Sequence, residues 1–255
     1  MTYKTPAIVL RSFPWPRWAR FYVLYTRDYG KVRAVASGSQ KIVSKVAGHL
    51  QPFVLTEAMF ARGRRVDRLA QARLEKRYAA FSQDFSVYLL GAYLLEVIES
   101  LTQEGVADQA VWESILEVFE EVDQQGKWLM DEQSTPDQYR LRHLSRMFSL
   151  RLLDRFGYRP ELYRCIHCRK PLQEGVIGFS LLHGGVIDEA CASGYPDRLT
   201  LSAETVKILR CGLTYPLLDA QRVIASQECL DQMSSVVDQL IMMQTQRPLR
   251  SLSVF

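Results

Sequence analysis

Residues 19–37, ARFYVLYTRDYGKVRAVAS, predict a β-hairpin. Two runs rich in tyrosine, valine and alanine flank a short polar turn, where Asp28 and Gly30 are residue types typical of tight hairpin turns. In the second run, Lys31 and Arg33 alternate with small apolar residues, so cations lie on one strand face and apolar side chains on the other. The pattern indicates two antiparallel strands with one face toward a core.

Three more segments of the N-terminal region have the same character. Short runs of valine, leucine, tyrosine and phenylalanine, bounded by glycine, proline and charged residues, predict strands near 3–11, 52–61 and 65–77. With the hairpin, they make five strands, and the OB-fold is the common small barrel with five strands. We therefore predict an α+β multidomain protein that begins with a five-stranded OB-fold β-barrel over residues 1–79.

The chain becomes helical after residue 80. Apolar residues recur at helical spacing in 84–101 and 108–123, and the aspartates that begin these two segments are suited to cap a helix N-terminus. A connecting loop is expected over 124–135. A third helix is expected to begin with Thr135 as its cap and Pro136 as its first residue, and to stop at Gly157.

An interruption rich in cysteine, glycine and proline divides the helical part. It covers residues 161–198, and helices are expected again over 202–213 and 226–245. We therefore predict one α-helical bundle domain in two parts, 80–160 and 199–255, around a small zinc-ribbon-like insert.

The charge of the chain is divided unevenly between its two parts. Residues 1–80 contain sixteen lysines and arginines against four acids, a net charge of +12, whereas the whole chain carries +4. Residues 81–255 therefore carry −8. A basic module on an acidic body favours a polyanion-binding domain attached to a scaffold that repels the same polyanion. The alternative is a basic face that is merely solvated.

Composition and missing motifs exclude several classes of protein. No apolar run is long enough to cross a bilayer, and the N-terminus lacks the features of a secretory signal, so no membrane partner is expected. Five cysteines, an odd number, with two in a C-x-x-C pair, favour a reducing compartment and metal ligation over disulfides, which indicates the cytoplasm. The phosphate-binding G-x-x-x-x-G-K-[ST], G-x-S-x-G and H-E-x-x-H motifs are absent, and we expect no enzymatic activity.

The loops of the predicted barrel combine arginines with aromatic residues. In an OB-fold, strands 2 and 3 and the loops between strands 1–2 and 4–5 form the usual oligonucleotide face. Cations that track phosphates and flat rings that stack on bases are what a single-strand site needs. Trp15 and Trp18 are left open between a stacking surface and a plug of the barrel. The predicted DNA-binding residues are Trp15, Arg17, Trp18, Arg20, Lys31, Arg33, Lys41, Lys45, Arg62, Arg64, Arg65 and Arg68.

The insert contains a metal-ligand pattern. Cys165 and Cys168 are followed after nineteen residues by Asp188 and Cys191, so two ligand pairs can close on one tetrahedral ion. A carboxylate can ligate Zn²⁺, which makes a structural Cys₃Asp zinc site chemically acceptable. His167 and His183 are alternative fourth ligands, and loss of the metal with free cysteines is the alternative for the whole site. Cys211 and Cys229 are expected to be small core residues.

Several motifs occur in one order along the chain. They are TRDYGKVR (26–33), a loop with lysine and serine (41–48), LQPF (50–53), a helix ending in FGY (156–158), and the cysteine pair before GGVIDEAC (184–191). Together they resemble the RecO family of bacterial recombination mediators. Two departures stand out. Asp188 replaces the family's usual cysteine, and the 37–41 loop is less basic than the family pattern.

The resemblance implies a mediator that works without catalysis. Such proteins bind single- and double-stranded DNA, anneal complementary strands, contact the C-terminal tail of single-strand-binding protein, and work with RecR to load RecA. The basic barrel would bind DNA and the acidic helical part would dock proteins. Two other hypotheses stay open, which are a metal-dependent nucleic-acid enzyme built on the cysteine insert and a scaffold whose barrel binds an acidic protein.

Overall fold

The chain folds into two compact units, seen in a computed structural model that describes residues 1–37, 47–128, 138–172, 177–220, 223 and 225–251. One unit comprises Met1–Ser134 with Arg250–Phe255, and the other comprises Thr135–Leu249. Within the described ranges, no helix has the length and apolar character that a bilayer-spanning segment needs.

The first unit begins with a closed five-stranded barrel. Its strands are β1 (Thr2–Trp15), β2 (Ala19–Thr26), β3 (Gly30–Ala36), β4 (Val54–Ala61) and β5 (Asp67–Arg77). They close in the order β1-β2-β3-β5-β4, with β3 and β5 parallel and the other neighbouring pairs antiparallel. Five strands closed in this way confirm the predicted OB-fold.

The barrel core follows the predicted alternation of side chains. On β3, Val32 and Ala34 are buried, whereas Lys31 is half-buried and Arg33 is exposed. Tyr22 and Leu24 of β2 are buried in the barrel core with Phe60 of β4 and small residues of β1. The alternation of residues along the strand therefore correctly predicted that the cations of β3 lie on its outer face.

The first strand is longer than the sequence predicted. We expected the first strand near residues 3–11, but β1 continues to Trp15, which pairs with Ala19, and the turn between them has only three residues. The pairing of β1 with β4 ends at Ile8, so the second half of β1 has one neighbour in the described register. A proline is tolerated in such an edge segment because its missing N–H faces no partner strand, and Pro14 therefore did not end the strand.

Three helices follow the barrel in the same unit. They are α1 (Ala80–Gln83), α2 (Phe85–Leu101) and α3 (Gln109–Trp128). The predicted caps are confirmed, because the Asp84 carboxylate accepts the Val87 N–H at 3.0 Å and the Asp108 carboxylate accepts the Ala110 N–H at 2.9 Å.

The prediction of a loop over residues 124–135 is wrong at the start of that range. Helix α3 continues to Trp128, since glutamine favours helix and a single glycine costs it only about 1 kcal/mol. The rest of that loop lies outside the described residues.

Helix α2 is fixed to the barrel by a lysine of β3. Lys31 Nζ donates to the carbonyl oxygens of Glu99 and Thr102 at 2.5 and 2.6 Å, where the end of a helix leaves carbonyls without intrahelical partners. Gly30 has a φ of 61°, and a Cβ atom there would lie 1.9 Å from the Val106 carbonyl oxygen. These contacts join the end of α2 and the segment after it to the barrel, and α1–α3 lie in the same compact unit as the barrel.

The described residues of the second unit form four helices and a small sheet. Its elements are α4 (Gln138–Arg155), β6 (Ile177–Ser180), β7 (Gly185–Ile187), β8 (Leu199–Leu201), α5 (Ala203–Thr214), α6 (Leu217–Ala220) and α7 (Gln227–Thr245). The sheet order is β7-β6-β8. Thr135 and Pro136, expected to start the third helix, lie outside the described residues. The stop at Gly157 is confirmed, because its φ is 83° and the Tyr158 N–H returns to the Leu153 carbonyl.

A buried histidine makes the stability of the second unit depend on pH. His143 of α4 is only 3% exposed, and its Nε2 has no hydrogen-bond partner among the described residues. Burial lowers the pKa of His143 from 6.5 to about 4, because the interior disfavours the charged ring. The unfolded chain takes up this proton first, so stability is complete above pH 6.5 and is lost as the pH falls toward 4.

Replacing His143 with leucine is expected to flatten that pH dependence. The wild-type chain should lose roughly 3 kcal/mol between pH 7 and pH 4 through this residue, a figure that follows from about 1.4 kcal/mol per pKa unit. Urea unfolding of both proteins between pH 7 and pH 4 measures how the free energy of unfolding changes with pH. Contributions from other groups cancel when the two proteins are compared. Parallel curves for the two proteins would contradict the assignment.

Candidate nucleic-acid interface and metal centre

Five predicted cations meet at one cavity of the barrel. The cavity has a volume of about 220 Å³ and is lined by Lys31 and Arg33 of β3 and by Arg62, Arg64 and Arg65 of the β4–β5 loop. We call it the arginine pocket. The barrel topology brings these residues together from two sequence segments about thirty residues apart, as expected when β3 and β5 are neighbours.

The β4–β5 loop is held in a tight shape. The Gly63 N–H donates to the Asp67 carboxylate at 2.9 Å, and the Tyr3 hydroxyl donates to the other oxygen of the same carboxylate. A Cβ atom on Gly63 would lie 1.9 Å from the Val66 carbonyl oxygen, so only glycine fits there. The Asp67 carboxylate is thus held by the loop backbone and by Tyr3 of β1, and the loop is preorganised.

Two tyrosines that the sequence analysis missed line the arginine pocket. The rings of Tyr3 and Tyr29 lie 4.3 Å apart, and the Arg62 guanidinium lies 5.0 Å and 5.6 Å from their centroids. Burial, followed by the hydrogen bond to Asp67, raises the pKa of Tyr3, so its hydroxyl stays protonated. No local signal marks them, because the pairing of β1 with β4 brings Tyr3 to Arg62 from across the chain.

The predicted cations differ in how far they are already engaged. Lys31 binds the end of α2, and Arg33 forms an ion pair with Glu104 at 3.2 Å. The exposed arginines of the β4–β5 loop and of the start of β5 have no carboxylate at ion-pair distance within the described ranges. They are Arg62, Arg64, Arg65 and Arg68. Lys41 and Lys45 lie outside the described residues.

The turn between β1 and β2 carries the remaining predicted DNA-binding residues. We call residues 15–20 the hairpin tip. Trp18 is 69% exposed, so it does not plug the barrel, and Trp15 is 44% exposed while its ring lies 5.2 Å from that of Phe21. Arg17 is exposed, and Arg20 is half-buried with an Nε that has no partner among the described residues. The hairpin tip and the arginine pocket lie at opposite ends of β1.

The cysteine insert of the second unit brings three thiols together. The sulfurs of Cys165, Cys168 and Cys191 all lie within 4.8 Å of one another. Cys165 and Cys168 sit on one turn, and Cys191 follows β7 on a short 3₁₀ helix. Asp188 lies beside them, with a carboxylate oxygen 3.6 Å from Cys168 Sγ and a backbone N–H 3.4 Å from Cys165 Sγ. Three cysteines so close together can hold a metal ion.

The chemistry of this donor set fits zinc. Tetrahedral Zn²⁺ with Zn–S bonds of about 2.3 Å needs sulfurs roughly 4 Å apart, which is compatible with three sulfurs that all lie within 4.8 Å of one another. Burial would raise the pKa of Cys165, but hydrogen bonds, chiefly from the backbone N–H of Asp188, lower it overall. Burial and hydrogen bonds with the other two thiols raise the pKa of Cys191 to about 11. A cation bound between the three sulfurs would favour their thiolate forms.

The alternative fourth ligands are engaged with another ring. His167 and His183 lie with their ring centroids 6.0 and 5.4 Å from that of Tyr195, and His183 Nδ1 lies 3.0 Å from the Ser180 hydroxyl. Neither histidine, nor Asp188, belongs to the group of mutually close ligand atoms in the described part of the chain. The Asp188 carboxylate nevertheless lies 3.6 Å from Cys168 Sγ, so Asp188 stays a candidate fourth ligand.

The other two cysteines lie on helices, as expected. Cys229 of α7 is buried, which fits a small core residue, whereas Cys211 of α5 is only half-buried. The helical pattern alone did not distinguish the centre of the core from its edge.

Comparisons with known proteins identify the family. The family model described as Recombination protein O N terminal matches residues 1–78, and the one described as Recombination protein O C terminal matches residues 82–253. The chain is 26% identical to a DNA repair protein RecO from Desulforamulus reducens, over 92% of this chain and 86% of the relative. It is 30% identical to one from Desulforudis audaxviator, over 84% and 80%, and 24% identical to one from Bacillus subtilis, over 93% and 88%. The chain therefore belongs to the RecO family of DNA repair proteins.

Proposed function

We propose that this protein is a recombination mediator that binds single- and double-stranded DNA through its barrel and anneals complementary strands. The arginine pocket carries the proposal, because it joins unpaired guanidinium groups to a preorganised loop on an OB-fold. Phosphates are the ligands such groups bind most readily. Neutralising the charge of two strands on one surface lowers their mutual repulsion, which promotes annealing without a bond-making step.

The proposed DNA contacts lie mainly at the arginine pocket and at the hairpin tip. Arg62, Arg64, Arg65 and Arg68 supply the strongest phosphate contacts, and Arg33 joins them by exchanging its carboxylate partner for a phosphate. Trp15, Arg17, Trp18 and Arg20 form a second contact at the hairpin tip, and Lys41 and Lys45 remain part of the proposed surface. Lys31 contributes charge at a distance while it holds α2.

A salt titration tests DNA binding. We expect fluorescence anisotropy with a labelled single-stranded oligonucleotide to show an affinity that falls with salt, with a log–log slope of roughly −4 for about six phosphate contacts. A slope near zero, or no binding at low salt, would contradict the proposal.

We propose that the cysteine insert holds a structural Zn²⁺ through Cys165, Cys168, Asp188 and Cys191. When bound, the ion cross-links the Cys165–Cys168 turn to the segment after β7. All four protein positions are then filled, which leaves no open coordination site for a reaction. We accordingly propose that the protein is not an enzyme. Labelled DNA should remain intact over hours with zinc or magnesium, and cleavage or trimming would favour a nucleic-acid enzyme.

The acidic helical part is the proposed docking surface for proteins. Its partners would be RecR and the C-terminal tail of single-strand-binding protein, with RecA loaded indirectly, at work in the cytoplasm and associated with the nucleoid. The net charge of −8 outside residues 1–80 supports this division of labour, because an acidic surface avoids competition from DNA.

A further inference from the structure

The hairpin tip has a backbone conformation that its residues disfavour. Arg17 and Trp18 have φ values of 61° and 60°, in the left-handed region where side chains with a Cβ atom are crowded. Two consecutive residues of this kind require support from the surrounding structure, and such outliers cluster at functional sites. Glycine would fit both positions better, so the presence of tryptophan needs a reason other than stability.

The support comes from a rigid aromatic base beneath the turn. Phe13 of β1 and Phe21 of β2 stack at 4.8 Å, and Trp15 packs against Phe21. Pro14 and Pro16, which flank Trp15, restrict the backbone further. Trp18 is therefore displayed on a stiff projection, with most of its ring in solvent.

The charge around this ring has one sign. Residues 11–20 contain three arginines and no acid. Arg11 pairs with Glu99 at 2.7 Å, whereas Arg17 has no ion-pair partner within the described ranges and the buried Nε of Arg20 lacks an acceptor. The exposed guanidinium of Arg17 is accessible to a ligand with anionic oxygens. A nucleic acid combines anionic phosphate oxygens with flat apolar bases that can stack on the ring of Trp18.

We propose that the hairpin tip recognises a junction between single- and double-stranded DNA, with Trp18 stacked on the exposed end of the base-pair stack and Arg17 and Arg20 on the adjacent phosphates. A stiff, convex tip cannot enclose a base, but it can cover a flat face. Insertion between paired bases would require unstacking them, whereas a junction already offers an open face. The inference rests on the proposed DNA-binding function and adds the DNA structure that this site selects.

The test compares two DNAs and four proteins. The DNAs are a duplex with a single-stranded tail, carrying 2-aminopurine at the junction, and the tail sequence alone. We expect the wild-type chain to bind the tailed duplex about tenfold more tightly than the tail alone, which is the effect of one well-stacked base. Binding should also quench the fluorescence of the 2-aminopurine. Trp18→Gly should lower this ratio to about one, Trp18→Phe should keep most of it, and Phe85→Ala, an equally exposed aromatic on α2, should leave it unchanged.

Folding does not confound this test, because glycine suits the left-handed position. The urea midpoint of Trp18→Gly should equal or exceed that of the wild-type chain. A wild-type ratio near one, or a ratio that Trp18→Gly leaves at about ten, overturns the junction proposal while DNA binding stands. A wild-type chain that binds neither DNA at low salt overturns the proposed function and this inference together.

Discussion

Replacing Arg62, Arg64 and Arg65 together with glutamate is expected to weaken single-stranded DNA binding by about 100-fold or more at low salt. The three side chains are exposed, lie on one preorganised loop and have no carboxylate partner within the described ranges. Losing three phosphate contacts should also make the log–log salt slope less steep by about two, since each contact to a single strand contributes about 0.7. Anisotropy titrations of both proteins over a range of salt concentrations measure both quantities.

A variant with the same charge change elsewhere serves as the control. Lys170, Lys207 and Arg247 are exposed and belong to the second unit, so replacing them with glutamate changes the net charge equally without touching the barrel. This control should lower the affinity only a few-fold through long-range repulsion. If the two triple variants lose affinity equally, the net charge and not the arginine pocket governs DNA binding.

Removing a ligand of the cysteine insert is expected to have the largest effect on stability. Cys165→Ser should reduce bound zinc from one ion per chain to almost none and destabilise the second unit by about 4 kcal/mol, since loss of a metal is among the few causes of so large a change. Metal analysis of the purified protein and urea unfolding under reducing conditions measure the two effects. Cys211→Ser, on a half-buried helix position outside the site, should keep the zinc.

Asp188 allows a sharper test of the same site. Asp188→Cys completes a set of four thiolates, which zinc prefers, and should make the metal harder to remove with a chelator, whereas Asp188→Ala should make it easier. Chelator competition ranks the three proteins. If both variants lose zinc at the wild-type rate, Asp188 is not a ligand.

The barrel could be predicted from the sequence because its strands alternate cleanly and its turns carry glycine and aspartate. The strand after Gly30 and the caps at Asp84 and Asp108 depend on neighbouring residues alone, so local rules suffice for them. The end of β1 was missed because a proline normally interrupts a sheet, and only the pairing partners of Pro14 show that it lies on an open edge.

Contacts between distant segments account for what the sequence could not predict about the site. Lys31 alternates like a surface cation, yet its ammonium group binds the end of α2, nearly seventy residues away. The roles of Tyr3 and Tyr29 could not be predicted, because they depend on the guanidinium of Arg62 lying over both rings. The proximity of Cys165, Cys168 and Cys191, in contrast, could be predicted, since cysteines at metal-ligand spacing are typical of two turns that meet.

The central claim is that the barrel brings complementary DNA strands together, and an annealing assay tests it most directly. Two complementary oligonucleotides with fluorescent labels are coated with single-strand-binding protein and mixed with the chain in the absence of any nucleotide. We expect the wild-type chain to accelerate annealing and the annealing rate to fall as salt rises. The triple variant at Arg62, Arg64 and Arg65 should accelerate annealing only slightly. No acceleration by a wild-type chain that binds both strands would contradict the claim, and the barrel would then be a DNA-binding module without annealing activity.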